Sequence, residues 1–223
     1  MSNTILIIGE SGSGKSTSIR NLNPLETVII NVLDKPLPFK GFKKNYIKTA
    51  TEDKKVNYFA TDEAYKIKGA IDKINISRPE IKNIIIDDFQ YIMANEFMRR
   101  ALERGYDKFS EIGQKTWDLI KHISQGREDI NCFILSHSHS DDSGKIKCKT
   151  IGKMLDDKIC VEGMFTIVLH ALTSDNKYKF LTQHDGTHLA KSPLGMFKEK
   201  YIDNDLLEIN NNINDYFNED INQ

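Results

Sequence analysis

The chain has no run approaching the roughly 20 consecutive apolar residues that a membrane-crossing helix requires, so no membrane partner is expected. Cysteine is scarce. Cys132, Cys148 and Cys160 have no paired spacing and leave an odd one over, which argues against a disulfide framework or a zinc site and for reduced thiols in the cytoplasm. The opening MSNTILIIGE enters an apolar run with no basic leader or small-residue cleavage site, so secretion is not expected. Charge of one sign is not in excess: 31 Lys and Arg face 32 Asp and Glu, a formal net charge of −1. That balance excludes a generally basic coat for nucleic acid, and any such surface has to be a local patch. With 223 residues and 39% hydrophobic content, one generous domain is expected.

Five short segments are rich in Ile, Val, Leu or Phe without alternation: residues 4–8, 27–32, 83–87, 131–136 and 164–170. Strands buried on both faces of a parallel sheet have this composition. Helical patterns lie between them, at residues 16–22 and at about 110–125, where Ile112, Leu119, Ile120 and Ile123 share one face. The expectation is an α/β fold, a mainly parallel sheet flanked by helices. After the last parallel strand, residues 178–182 and 187–190 flank His184-Asp185-Gly186, which predicts a late β-hairpin. Ile202, Leu206, Ile209, Ile213 and Phe217 then predict an amphipathic C-terminal helix, acidic because no Lys or Arg follows Lys200. The division expected is a domain over 1–200 and an acidic tail over 201–223.

The segment Gly9-Glu10-Ser11-Gly12-Ser13-Gly14-Lys15-Ser16 fits G-x-x-x-x-G-K-[ST], directly after a strand and opening a helix. Glycines let the backbone curl so that successive N–H groups point at phosphate oxygens, and Thr17 continues the cradle. Lys15 is placed for the β- and γ-phosphates and Ser16 for Mg2+. Ile84-Ile85-Ile86-Asp87-Asp88 is an apolar strand ending in acid, so Asp87 is the second expected holder of Mg2+. Asp88 is the first choice to orient the attacking water, with Asp34, past the second strand, as competitor. His137, at the end of the fourth strand in Ser136-His137-Ser138-His139, faces the crevice where α/β sheets bind ligands, and is expected to touch the γ-phosphate or the lytic water. A GTPase is disfavoured, since Asn176-Lys177 lacks the acid of N-K-x-D. No serine-glycine-glycine signature precedes residue 83, and no arginine-rich lid is seen.

Taken together, GESGSGKSTSIRNL, KPLPFKGFKKNY, IIIDDFQY, KTIGKMLDDKICVEGMFTIVLHA and FLTQHDGTHLAKSPLGMF resemble the small phage-encoded RecA-like ATPases. These AAA-domain ATP-binding proteins include the Sak-type partners of single-strand annealing. The resemblance runs from Leu6 to about Phe197. It implies a RecA-like P-loop NTPase core, Mg2+-dependent ATP hydrolysis, single-stranded DNA as partner, homo-oligomers on DNA, a single-strand binding protein or nuclease as further partner, and a role in phage recombination or replication in the host cytoplasm. No counterpart of the RecA-type catalytic glutamate is found after the second strand, where Asp34 stands. By analogy with late basic residues of RecA-like proteins, Lys191 is the expected trans-acting finger.

GKIKCKTIGK, residues 144–153, has two readings: a half-buried strand with a wet face, or a mobile loop facing DNA. In the second, Lys145, Lys147, Lys149 and Lys153 contact the phosphates of a single strand. Phe39-Lys40-Gly41-Phe42-Lys43-Lys44 is a second basic-aromatic cluster that can stack bases. Two other activities compete with a DNA-dependent ATPase: a small-molecule phosphotransferase using the same loop, and a slow ATP-dependent assembly switch.

Overall fold

A computed structural model describes residues 1–151, 160–174 and 177–219. The strands are β1 (Asn3–Gly9), β2 (Thr27–Asn31), β3 (Tyr58–Ala60), β4 (Asn83–Asp87), β5 (Asn131–Ser140), β6 (Ile146–Cys148), β7 (Ile167–Ser174), β8 (Lys177–Leu181) and β9 (Tyr201–Asp203). The α-helices among the described residues are α1 (Phe42–Asn45), α2 (Ala64–Ser77), α3 (Gln90–Arg99), α4 (Asp107–Ser124) and α5 (Leu206–Glu219). One sheet runs β3-β2-β4-β5-β1-β7-β8-β9, with β6 paired to β5 off this path. The pairs from β3 across to β7 are parallel; β5–β6, β7–β8 and β8–β9 are antiparallel. The fold is α/β, a mostly parallel mixed sheet flanked by helices. No helix among the described residues is long and apolar enough to cross a membrane.

The non-alternating strands are explained by burial on both faces. From β1, Leu6 and Ile8 pack with Ile67 and Ile71 of α2 and Leu119, Ile120 and Ile123 of α4. Ile5 and Ile7 pack on the other side with Ile19, Leu206, Ile209 and Ile213. The predicted face of α4 is the buried one, and it includes Ile112.

Several expectations are corrected. The segment after the glycine-rich loop is a 3-10 helix, Ser16–Asn21. The fifth parallel strand begins at Ile167, because Val161–Met164 is a 3-10 turn, and the fourth continues to Ser140. Residues 178–182 and 187–190 do not pair with each other: β8 lies between β7 and β9. The Asp185 carboxylate accepts the N–H groups of Thr187 (2.9 Å) and His188 (2.7 Å), which turns the chain away toward β6. There Ile146 N–H donates to Thr187 O at 2.9 Å. Ile202 belongs to β9, and the last helix starts at Leu206. Residues 201–219 supply an outer strand, β9, and a helix that packs on the same sheet. Glu208 and Asp215 of α5 are exposed while Leu206, Ile209 and Ile213 are fully buried.

Candidate functional site

The carboxyl ends of β1, β4 and β5 meet at one edge, and the glycine-rich loop crosses above β1. Gly9 is required there: a Cβ would sit 2.7 Å from Ala171 O and 2.5 Å from Ser13 Oγ. Gly12 and Gly14 have φ of 82° and 90°, the left-handed region that favours glycine. Glu10, Ser11 and Gly12 form the exposed crest, Ser13 and Gly14 are buried, and Thr17 is half-buried in the 3-10 turn. Lys15 is buried and folds back onto its own loop, donating to Gly9 O at 2.7 Å and Glu10 O at 2.8 Å. Burial pushes its ammonium down to about 8, against the pull of Asp87 and Asp88.

Ser16 Oγ donates to Asp87 Oδ1 at 3.0 Å, joining residues 71 positions apart. Asp87 is 2% exposed. Burial, with the neighbouring charge of Asp88, pushes its carboxyl up to about 6. A carboxylate and a hydroxyl, both hard oxygen donors, fit Mg2+, which binds through few protein ligands and completes its shell with waters and substrate phosphates. Among the described residues no group of three His, Cys, Asp or Glu has metal-binding placement. Such a set belongs to cations caged entirely by protein, and one completed by phosphates does not need it.

Asp88 is also buried, yet it behaves oppositely. Burial alone raises its carboxyl; His137 and Lys35 outweigh that and hold it below the ordinary carboxylate value. Lys35 Nζ lies 2.7 Å from Asp88 Oδ2, and His137 Nε2 lies 3.4 Å from Oδ1. The backbone of Asp88 is left-handed at φ 62°, and its N–H donates to Asp87 Oδ1 at 3.1 Å. His137 is fixed on both sides of its peptide. Its N–H donates to Gln90 Oε1 at 3.1 Å, and its carbonyl accepts the N–H of Lys149 at 2.8 Å. Asp34 does not join this cluster. Lys48 lies 2.6 Å from both of its carboxylate oxygens, and Tyr58 OH donates to it at 3.2 Å.

Residues 146–148 of the lysine segment form β6, paired antiparallel with the end of β5 in a tight hairpin. Asp141 Oδ1 accepts the N–H groups of Ser143 and Lys145, and Gly144 turns at φ 78°. Cys148 points into the core, Lys145 and Lys149 are exposed, and Lys147 leans to 3.9 Å from Asp141. Gly152 and Lys153 lie outside the described residues. Lys191 is not brought to the site. Its backbone exchanges two 2.8 Å hydrogen bonds with Val168, three residues short of the β7 position that meets Gly9, and its side chain is exposed.

Lys35, Gln90 and Tyr91 are the members that sequence reasoning missed. Tyr91 packs edge-on against His137 at 6.1 Å and lies 6.0 Å from Lys35 Nζ. Lys35 had a signal: it follows Asp34 at the carboxyl end of a parallel strand, where ligand crevices form. Gln90 had none beyond opening the helix after Asp87-Asp88. No protein-family model matches the chain, and no curated protein matches it. The chemistry is therefore read from these residues alone.

Proposed function

We propose that the chain is a RecA-like P-loop ATPase that binds ATP with Mg2+ and hydrolyses it in response to single-stranded DNA, in phage recombination or replication. The observation that carries this reading is the 3.0 Å contact between Ser16 of the glycine-rich loop and Asp87 at the end of β4. Two motifs distant in sequence become one oxygen-rich corner beside a lysine. Lys15 exchanges the carbonyls of Gly9 and Glu10 for β- and γ-phosphate oxygens. Ser16 and Asp87 would hold Mg2+, which when bound would offset charge on the phosphate oxygens. Asp88, kept ionised by His137 and Lys35, accepts a hydrogen bond from the attacking water and takes its proton. The water oxygen joins the γ-phosphorus as the bond to the β–γ bridging oxygen breaks, leaving ADP and phosphate.

The link from Lys149 through the His137 carbonyl to Asp88 supports coupling of this step to DNA lying on Lys145, Lys147 and Lys149. Homo-oligomers, with Lys191 serving a neighbouring site, and a single-strand binding protein or nuclease partner belong to the same reading. Phosphate release measured with and without single-stranded DNA tests it. The expected result is turnover stimulated by DNA and abolished by Lys15→Ala in a folded protein. Turnover indifferent to both overturns it.

One observation favours a second reading, a phosphotransferase. A cleft of about 420 Å3 adjoins the site, lined by Asp34, Lys35, Phe42, Tyr46, Lys48 and Tyr58 among others. Its size suits a small acceptor. Stoichiometric phosphate release from ATP in buffer alone excludes that role.

A further inference from the structure

Two side chains that the mechanism does not use meet at the rim of the phosphate loop. In the antiparallel pair β8–β9, Phe180 lies opposite Ile202 and Lys179 opposite Asp203. Phe180 and Ile202 are in the hydrophobic cluster shared with Ile19 and Leu206. Continuing the register one position brings Tyr178 opposite Asn204 on that same face, at the sheet edge where β1 ends. Both reach Gly14: a Cβ there would lie 2.9 Å from Tyr178 Cδ1 and 3.2 Å from Asn204 Oδ1.

Their surroundings differ in a telling way. Tyr178 is 46% exposed. Asn204 is only 4% exposed, yet neither its Oδ1 nor its Nδ2 has a hydrogen-bond partner. A buried carboxamide normally satisfies its donor and its acceptor, and leaving both unpaired is costly. Its backbone, by contrast, is firmly held: Arg20 Nη1 donates to Asn204 O at 2.7 Å and to Thr17 O at 3.3 Å, and Asn21 Nδ2 donates to Asp205 at 2.5 Å. The residue is thus held beside the phosphate loop by its backbone, with its amide NH2 and its amide oxygen both unused.

We infer that Tyr178 and Asn204 form the nucleobase site and select adenine; this rests on the ATP-binding reading above. Adenine offers a ring nitrogen acceptor beside an amino donor, the pair an asparagine carboxamide meets with two hydrogen bonds. The ring of Tyr178 swings off Gly14 to open the amide and stacks on the base, as aromatic side chains do on any base face.

Calorimetric titration of the full chain in Mg2+ with ADP, GDP and pyrophosphate tests this without turnover. The wild type should prefer ADP to GDP. Asn204→Ala should weaken ADP roughly tenfold to a hundredfold, the worth of one bidentate base contact, erase that preference, and leave pyrophosphate unchanged. Tyr178→Ala should weaken both nucleotides and not pyrophosphate, while Tyr178→Phe keeps them. Asn204→Ser serves if the alanine variant does not fold. Equal ADP and GDP affinities in the wild type, or unchanged ADP affinity in folded Asn204→Ala and Asn204→Ser, overturn the inference while pyrophosphate binding leaves the phosphate-loop reading intact. A wild type that binds neither ADP nor pyrophosphate overturns both.

Discussion

Asp34 and Asp88 follow neighbouring strands, β2 and β4, and are the two non-glycine residues among those described whose backbone lies in the left-handed region, at φ 55° and 62°. Aspartate tolerates that region better than most residues, so the strain alone distinguishes neither. Their side chains diverge. Asp34 is 48% exposed and paired with an exposed lysine, Lys48. An ion pair of that kind contributes about 0–1 kcal/mol. Asp88 is 5% exposed, next to a second buried acid, and held ionised by Lys35 and His137. The difference teaches that an acid's chemistry here is set by what surrounds it. The two strand ends are linked as well, because Lys35, the residue after Asp34, reaches across to Asp88.

The largest expected effect is on turnover. Asp88→Asn should lower the steady-state rate of phosphate release by roughly a hundredfold or more, within the usual range for losing a general base, while Asp34→Asn changes it by less than about threefold. Equal losses would erase the distinction between the two acids. Next, Lys35→Ala should cost roughly tenfold in turnover by removing one charge-assisted contact to Asp88, and Lys48→Ala should cost nothing measurable.

Asp87 gives a stability effect in the opposite direction to activity. Its folded carboxyl, at about 6, lies above the ordinary aspartate value of 3.8, so between those values the folded state binds more protons than the unfolded one. Stability of the nucleotide-free protein in EDTA should therefore fall as pH rises from about 4 through 6. Asp87→Asn should flatten that slope and raise stability near pH 7 by ~1–3 kcal/mol while abolishing hydrolysis, as read by thermal melts across pH. A melting profile identical to wild type would show that burial does not raise the Asp87 carboxyl. The smallest effect concerns the hairpin. Alanine at Lys145, Lys147 and Lys149 should flatten the salt dependence of single-strand binding by about 1.4–2 in slope, two to three contacts at roughly 0.7 each. The lower end reflects the pull of Asp141 on Lys147. An unchanged slope means that these lysines only face water.

The parallel strands β1, β2, β4, β5 and β7 were legible because each carries a continuous apolar run; β4 has the bounds read from residues 83–87. The glycine-rich loop and Asp87 were legible because their chemistry fixes residue type and spacing together. What was not legible depended on tertiary partners. β3, with three residues, and β9, also three, carry too little periodicity to stand out. The pairing of β8 could not be read from Asp185-Gly186, since that aspartate uses its side chain to cap a turn instead of closing a hairpin. Lys35 and Gln90 join the site through contacts across strand ends, which no local pattern announces.

The asparagines that join β1, β5 and α5 carry a consequence for the order of folding. Asn3 Nδ2 donates to Asn131 Oδ1 at 2.9 Å, and Asn131 Nδ2 donates to Asn210 Oδ1 at 2.7 Å and Asn214 Oδ1 at 2.9 Å. β1 is thus tied through Asn131 of β5 to α5, and its neighbours β5 and β7 are synthesised more than a hundred residues after it. A ribosome would have to release the chain through α5 before β1 could be covered on both faces. Until then its apolar residues remain open to chaperones or to other chains, and folding dominated by such distant contacts is slow.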